Sequence, residues 1–128
     1  MKKFLLSTII SVFLLIHAHV QAISPENSCF AFQTIAQKLF EWNCTPIRIQ
    51  YGGDEMNNAE NVAYMNDLAE SQGFERKFSA CMVFYSDFRS PKDNGQLLAW
   101  NFDSIYENYS WYFGFYEDDT WKLMTWGY

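Results

Sequence analysis

Apolar and polar positions along the chain alternate with two different periods, and the change between them divides it into elements. Ser24-Pro25-Glu26 reads as a helix start: serine as cap, proline at the first helical position and an acid in the first turn. Cys29, Phe32, Ile35, Ala36, Leu39 and Phe40 then recur at the 3.6-residue period, which predicts a helix to about Trp42. Pro46 to Tyr51 alternates with β-branched residues, a short strand that its proline places at a sheet edge, and Gly52-Gly53 ends it. A second helix is expected from an Asp54 cap to about Gln72, burying Val62, Met65, Leu68 and Ala69, with Gly73 as its left-handed stop.

From Arg76 the period falls to two. Phe78, Ala80, Met82 and Phe84 alternate with Ser79, Cys81, Val83 and Tyr85; after a Ser90–Gly95 loop come Gln96–Phe102, Asn108–Tyr116 and Thr120–Tyr128. Adjacent strands on short loops predict an antiparallel meander. The fold class is therefore α+β: two N-terminal helices packed on a curved antiparallel β-meander of four to five strands.

The end of the chain, WYFGFYEDDTWKLMTWGY, is the most aromatic stretch. A two-residue turn at Asp118-Asp119 pairs Tyr116 with Trp121, Phe113 with Met124 and Trp111 with Trp126. That register puts Trp111, Phe113, Phe115, Met124 and Trp126 on one face, and Tyr112, Tyr116, Trp121 and Leu123 on the other. Both faces are apolar, whereas a half-buried strand pair shows one polar face. The Trp111 set is expected to be core. Tyr112, Tyr116 and Trp121 are expected to bind a partner, because Tyr and Trp join a large apolar body to a polar tip.

Lys2 and Lys3, the uncharged, mostly apolar run Phe4–Ile16 and Val20-Gln21-Ala22 follow the order of a secretory signal peptide. The run is shorter than the roughly 20 residues of a membrane span. The expected organisation is a signal peptide at 1–22 and one domain at 23–128, with delivery to the periplasm or beyond. Removing residues 1–22 from the 128 leaves 106, including neither His17 nor His19. Imidazole bases, Ser-His and Cys-His nucleophile pairs and the commonest zinc ligands go with them. Losing Lys2 and Lys3 lowers the basic count from 9 to 7 against 15 acids, a formal charge of −8. Such a surface repels nucleic acid and anionic lipid and attracts a basic partner.

Cys29, Cys44 and Cys81 remain. An odd number in an oxidising compartment implies one disulfide and a spare thiol, or an intermolecular bridge. On one helix Cys29 and Cys44 would stand about 20 Å apart at 1.5 Å per residue, beyond the roughly 7 Å reach of a disulfide. Cys81 is therefore one partner of any intramolecular bond; of Cys29 and Cys44, Cys44 is the expected other partner, with Cys29 buried on the helix stripe.

Helices before a long meander, closed by EDDTWKLMTWGY, resemble the cone-shaped NTF2-like domains, whose last strands often show an acidic turn followed by a Trp-Lys-apolar run. The related cystatin-like arrangement wraps one helix in a meander. The resemblance implies a cone whose interior can serve as a pocket; enzymes of that group use Asp, Tyr or His there, and no motif here fixes such a position. Asp54-Glu55 and Glu117-Asp118-Asp119 lack the DxDxDG calcium spacing and read as cap and turn. Asp87, Asp103 and Glu107 are the carboxylates a glycosidase-like pair would draw on. No catalytic residue, cofactor or metal is expected. The function expected is that of an exported, non-catalytic binding protein, most concretely a periplasmic immunity protein blocking a basic toxin enzyme; self-association is left open. The alternatives are a small-ligand binder or enzyme with a carboxylate or tyrosine pocket, and a glycan binder that stacks sugars on Trp and Tyr.

Overall fold

The computed structural model describes residues 24–92 and 101–128. The expected signal segment 1–22 and most of the expected Gln96–Phe102 strand lie outside them. Among the described residues two helices, α1 (Pro25–Glu41) and α2 (Ala59–Ser71), accompany four strands: β1 (Thr45–Tyr51), β2 (Ala80–Arg89), β3 (Ile105–Phe115) and β4 (Trp121–Gly127). The strands form one antiparallel sheet in the order β1-β2-β3-β4, the expected meander, with the proline-bearing β1 at an edge. No helix among the described residues is long and apolar enough to cross a membrane.

The helix ends follow local chemistry. Ser24 Oγ accepts the Asn27 N–H at 3.2 Å, and Pro25 opens the helix where its missing N–H costs nothing. At the far end Asn43 turns left-handed (φ 57°), letting the Cys44 N–H reach the Leu39 carbonyl at 2.9 Å and its own N–H reach that of Phe40. The start of α2 departs from expectation. Asp54 opens only a short 3₁₀ turn, Asp54–Met56, and the cap is Asn58, whose side chain accepts the Asn61 N–H at 2.9 Å. Gly73 (φ 79°) ends α2, and the Phe74 N–H closes on Ala69 O at 2.9 Å. Asn66 then pins α2 to the approach to β2, accepting the Phe78 N–H at 2.7 Å and donating to its carbonyl at 3.1 Å.

The helices lie on opposite faces of the sheet. Ala31, Ile35 and Leu39 of α1 pack with Met82, Phe84, Phe88, Tyr109, Trp111 and Phe113. Met65 and Ala69 of α2 pack with Phe78, Cys81, Val83, Tyr116 and Met124. Alternate residues of β2 therefore serve two cores. The larger core centres on Trp111, fully buried, which stacks on Trp42 at 5.6 Å and donates its indole N–H to Ser86 Oγ at 2.8 Å.

This arrangement corrects three expectations. First, the stripe α1 buries is Ala31, Ile35 and Leu39, so Phe32, Phe40 and Cys29 face outward. Only Ile35 and Leu39 were common to the expected stripe and the buried one, because α1 carries apolar residues around much of its circumference. Second, the expected Cys44–Cys81 disulfide is absent: all three cysteines are free, and Cys44 and Cys81 belong to cores on opposite faces of the sheet. Third, the hairpin register holds through Trp111–Trp126 and Tyr112–Thr125 but not beyond. A bulge at Met124 makes Phe113 pair with Leu123 and Phe115 with Trp121, in place of the expected Phe113–Met124 and Tyr116–Trp121 pairs. Trp121 and Leu123 consequently pack against the α1 core, and Met124 against the α2 core.

Two predictions follow from the packing. Burial pushes the Cys81 thiol up to about 12 and raises that of Cys44 as well. Mass analysis after alkylation should therefore show one label, on Cys29, in the native protein and three after unfolding. Rapid native labelling of a second cysteine would contradict the two-core arrangement. Separately, a Cβ on Gly114 would stand 2.5 Å from the Phe78 ring. Gly114→Ala should destabilise the protein by about 1–3 kcal/mol in denaturant melts, the range for overpacking, and much less in a Phe78→Leu background.

Candidate functional site

Strand alternation defines what the α2 face presents where the helix does not cover it. Arg48 and Gln50 of β1 stand opposite Asp87 and Tyr85 of β2. Tyr85 in turn faces Ser110 of β3, which faces Gly127 of β4, and Tyr112 faces Thr125. Cross-strand partners share a face, so these residues form one polar and aromatic shelf. Tyr64 reaches it from α2, its ring meeting that of Tyr112 edge to face at 5.7 Å and 84°. Tyr64, Ser110, Tyr112, Thr125 and the end of β4 enclose an open cleft of about 240 Å³.

The β1 end of the shelf is a closed hydrogen-bond network. Arg48 donates through Nε to Asp87 Oδ2 at 2.9 Å and through Nη2 to Asp87 Oδ1 at 3.1 Å. The same Nη2 donates to Asn108 Oδ1 at 2.8 Å, and Nη1 donates to Gln50 Oε1. Asn108, left-handed at φ 54°, turns its backbone N–H onto Asp87 Oδ1 at 2.8 Å. A register shift between Pro46 and Arg48 in β1, and one between Ser86 and Phe88 in β2, bring these groups together. The Arg48 guanidinium, helped by the Asn108 N–H, holds the Asp87 carboxyl below its usual range. A carboxylate so held is a poor proton acceptor at neutral pH. Arg48, in turn, is neutralised within the face it stands on.

The residues singled out from sequence are dispersed. Tyr112 is half-buried in the cleft, and burial pushes its phenol up, so the ring stays neutral at physiological pH. Tyr116 is buried, stacked on Phe78 at 4.5 Å with the Arg76 guanidinium 4.2 Å above its ring. Trp121 stands on the opposite face, 4.8 Å from Phe115, its indole Nε1 buried without a hydrogen-bond partner. The three thus do not form one surface. Among the carboxylates, Asp103 pairs with Arg89 at 3.1 Å, Asp118 with Arg76 at 2.8 Å, and Asp54 accepts the Tyr51 hydroxyl at 2.8 Å. Among the described residues no three His, Cys, Asp or Glu side chains are grouped to hold a metal. Tyr64 went unread in the sequence; its signal was a large aromatic off the buried stripe of an otherwise polar helix.

The depressed Asp87 carboxyl carries a pH signature. Its contribution to stability is complete above the ordinary carboxylate range and is lost as pH falls through its lowered folded value. Asp87→Asn should therefore melt below the wild type at neutral pH, and the gap should close below about pH 4. A gap that is the same at pH 3 and pH 7 would show that Asp87 acts by shape, not charge. Comparison with family models, with curated proteins and with solved structures finds no match, so what this site does rests on its own chemistry.

Proposed function

We propose that this chain is an exported, non-catalytic binding protein that blocks a basic protein partner, most concretely an immunity protein that occludes a toxin enzyme. The observation that carries the reading is the open Tyr64–Tyr112 cleft, presented by a sheet packed on both faces and set in an acidic surface. Helix α2, which supplies Tyr64, carries Glu60, Asp67 and Glu70 and no basic residue. Arg48, the base on the shelf, is bound to Asp87. Carboxylates flanking the exposed Tyr64 on α2 suit a basic partner, steering its approach and fixing its orientation. Export, from the charge and apolar pattern of residues 1–22, would place the protein where such a partner arrives.

A second reading is favoured by the cleft itself. Two tyrosine rings beside the Ser110 and Thr125 hydroxyls could hold a small ligand, as an NTF2-like pocket would.

The test is to present the purified protein to periplasmic extracts and to secreted basic enzymes of competing strains. Capture should be followed by stoichiometric loss of the captured enzyme's activity. Tyr112→Ala should weaken that complex by about 2 kcal/mol, the hot-spot range, while leaving the melting curve near that of the wild type. A captured enzyme that keeps full activity, or turnover of a small substrate by this protein alone, would overturn the reading.

A further inference from the structure

Among the described residues the protein repeatedly sets its own cations against its own aromatic rings. Arg76 lies 4.2 Å from the centre of Tyr116, Lys122 4.0 Å from Phe74 and Lys38 5.3 Å from Trp126. Each pair joins an exposed or half-exposed base to the electron-rich face of a ring. The Tyr64–Tyr112 corner is different. Two ring systems meet there nearly at right angles, the cleft they border is open, and no cation of the described residues lies over either ring.

What surrounds the corner favours a positive guest. Glu60 and Asp67 stand one turn to either side of Tyr64 on α2 and are exposed. Ser110 and Thr125 offer hydroxyl oxygens as acceptors. Two bases stand nearby, each with a carboxylate partner: Lys38, over the Trp126 ring that lines the β4 side of the cleft, pairs with Glu41 at 3.9 Å, and Arg48 has its charge matched by Asp87 and its remaining donors turned to Gln50 and Asn108. An anion would meet ring faces, with the α2 carboxylates one turn away against it; a cation would meet ring faces and hydroxyls, with those carboxylates in its favour. At about 240 Å³ the cleft has room for one long side chain rather than a folded segment.

We propose that the Tyr64–Tyr112 corner is a receptor for a single cationic side chain, an arginine of the protein partner. The guanidinium lies against the Tyr112 ring, Tyr64 walls it, and the Ser110 and Thr125 oxygens accept its N–H groups. This deepens the protein-binding reading and rests on it for the identity of the guest. Arginine is chosen over lysine because a planar guanidinium stacks on a ring while donating in its own plane, as Arg76 does when it covers Tyr116 and bonds Asp118.

The test uses the full chain and two probes that differ in charge and little in shape: N-acetyl-arginine amide and N-acetyl-citrulline amide, titrated while the Tyr64 and Tyr112 ring resonances are followed. The arginine probe should shift both rings saturably and bind at least about fivefold tighter than citrulline, the low end of a partly desolvated cation–π contact. Tyr112→Phe, which keeps the ring, should retain the difference; Tyr112→Leu, checked for folding by its melting curve, should abolish it. Equal binding of the two probes, or no saturable shift from either, overturns the proposal even if a protein partner is captured elsewhere on the surface. Arginine-selective binding without any partner would uphold the corner as a cation receptor and count against the immunity reading alone.

Discussion

A β-sheet that is apolar on both faces has to be covered on both, and the rest of this structure depends on that requirement. Alternate residues of β2 and β3 point into two separate cores, so the sheet is the middle layer and neither helix is dispensable. Trp111 is the anchor of the larger core. It is wholly buried, stacked on Trp42, and its one polar atom is satisfied by Ser86, itself fully buried. Burying the indole without that hydroxyl would leave a donor unpaired at a cost of about 1–3 kcal/mol. The serine is thus part of the same solution as the tryptophan.

The two helices cover their faces unequally, and the candidate site exists for that reason. Strands of 10 and 11 residues run roughly 33–37 Å at 3.3–3.4 Å per residue, whereas a helix is only about 10 Å thick. On one face Trp42 extends the cover that α1 begins, and Ile49, Tyr51 and Tyr106 of the sheet pack against the same core. On the other, α2 brings only Met65 and Ala69 as fully buried residues, and the sheet beyond it stays open with a different composition: Arg48, Gln50, Asp87, Asn108, Ser110 and Thr125 among tyrosines. Polar groups on an uncovered stretch keep their water or bond one another, as Arg48 and Asp87 do.

The elements were legible in the sequence because their signals are local. Ser24-Pro25 and Gly73 act within a few residues, and the period-two run from Phe78 needs no knowledge of distant parts. What could not be read was set by rotation and by insertion. Phe30, Phe32 and Phe40 made several stripes of α1 equally apolar, and the sheet chose the one whose small and branched residues, Ala31, Ile35 and Leu39, allow close approach. One extra residue at Met124 reversed the faces expected for Trp121, Leu123 and Met124, since a period of two carries no memory of a bulge. Asp118-Asp119 correctly marked a turn, but the turn closes through Tyr116 and Thr120, with Asp119 left-handed. The site fared worse because it is assembled across sequence: Arg48 meets Asp87 over 39 positions and Asn108 over 60. Only Tyr112 of the expected binding residues reached the cleft.

The order of elements also has a temporal side. On a growing chain, α1 is completed long before Met82, Phe84, Trp111 and Phe113, the residues its buried stripe packs against, have been made. Until β2 and β3 have both been made the helix lacks the surface it packs on, and a 17-residue helix alone in water is marginal. The stripe of α1 therefore gains its packing surface from strands made well after it, and the helix and the sheet order one another.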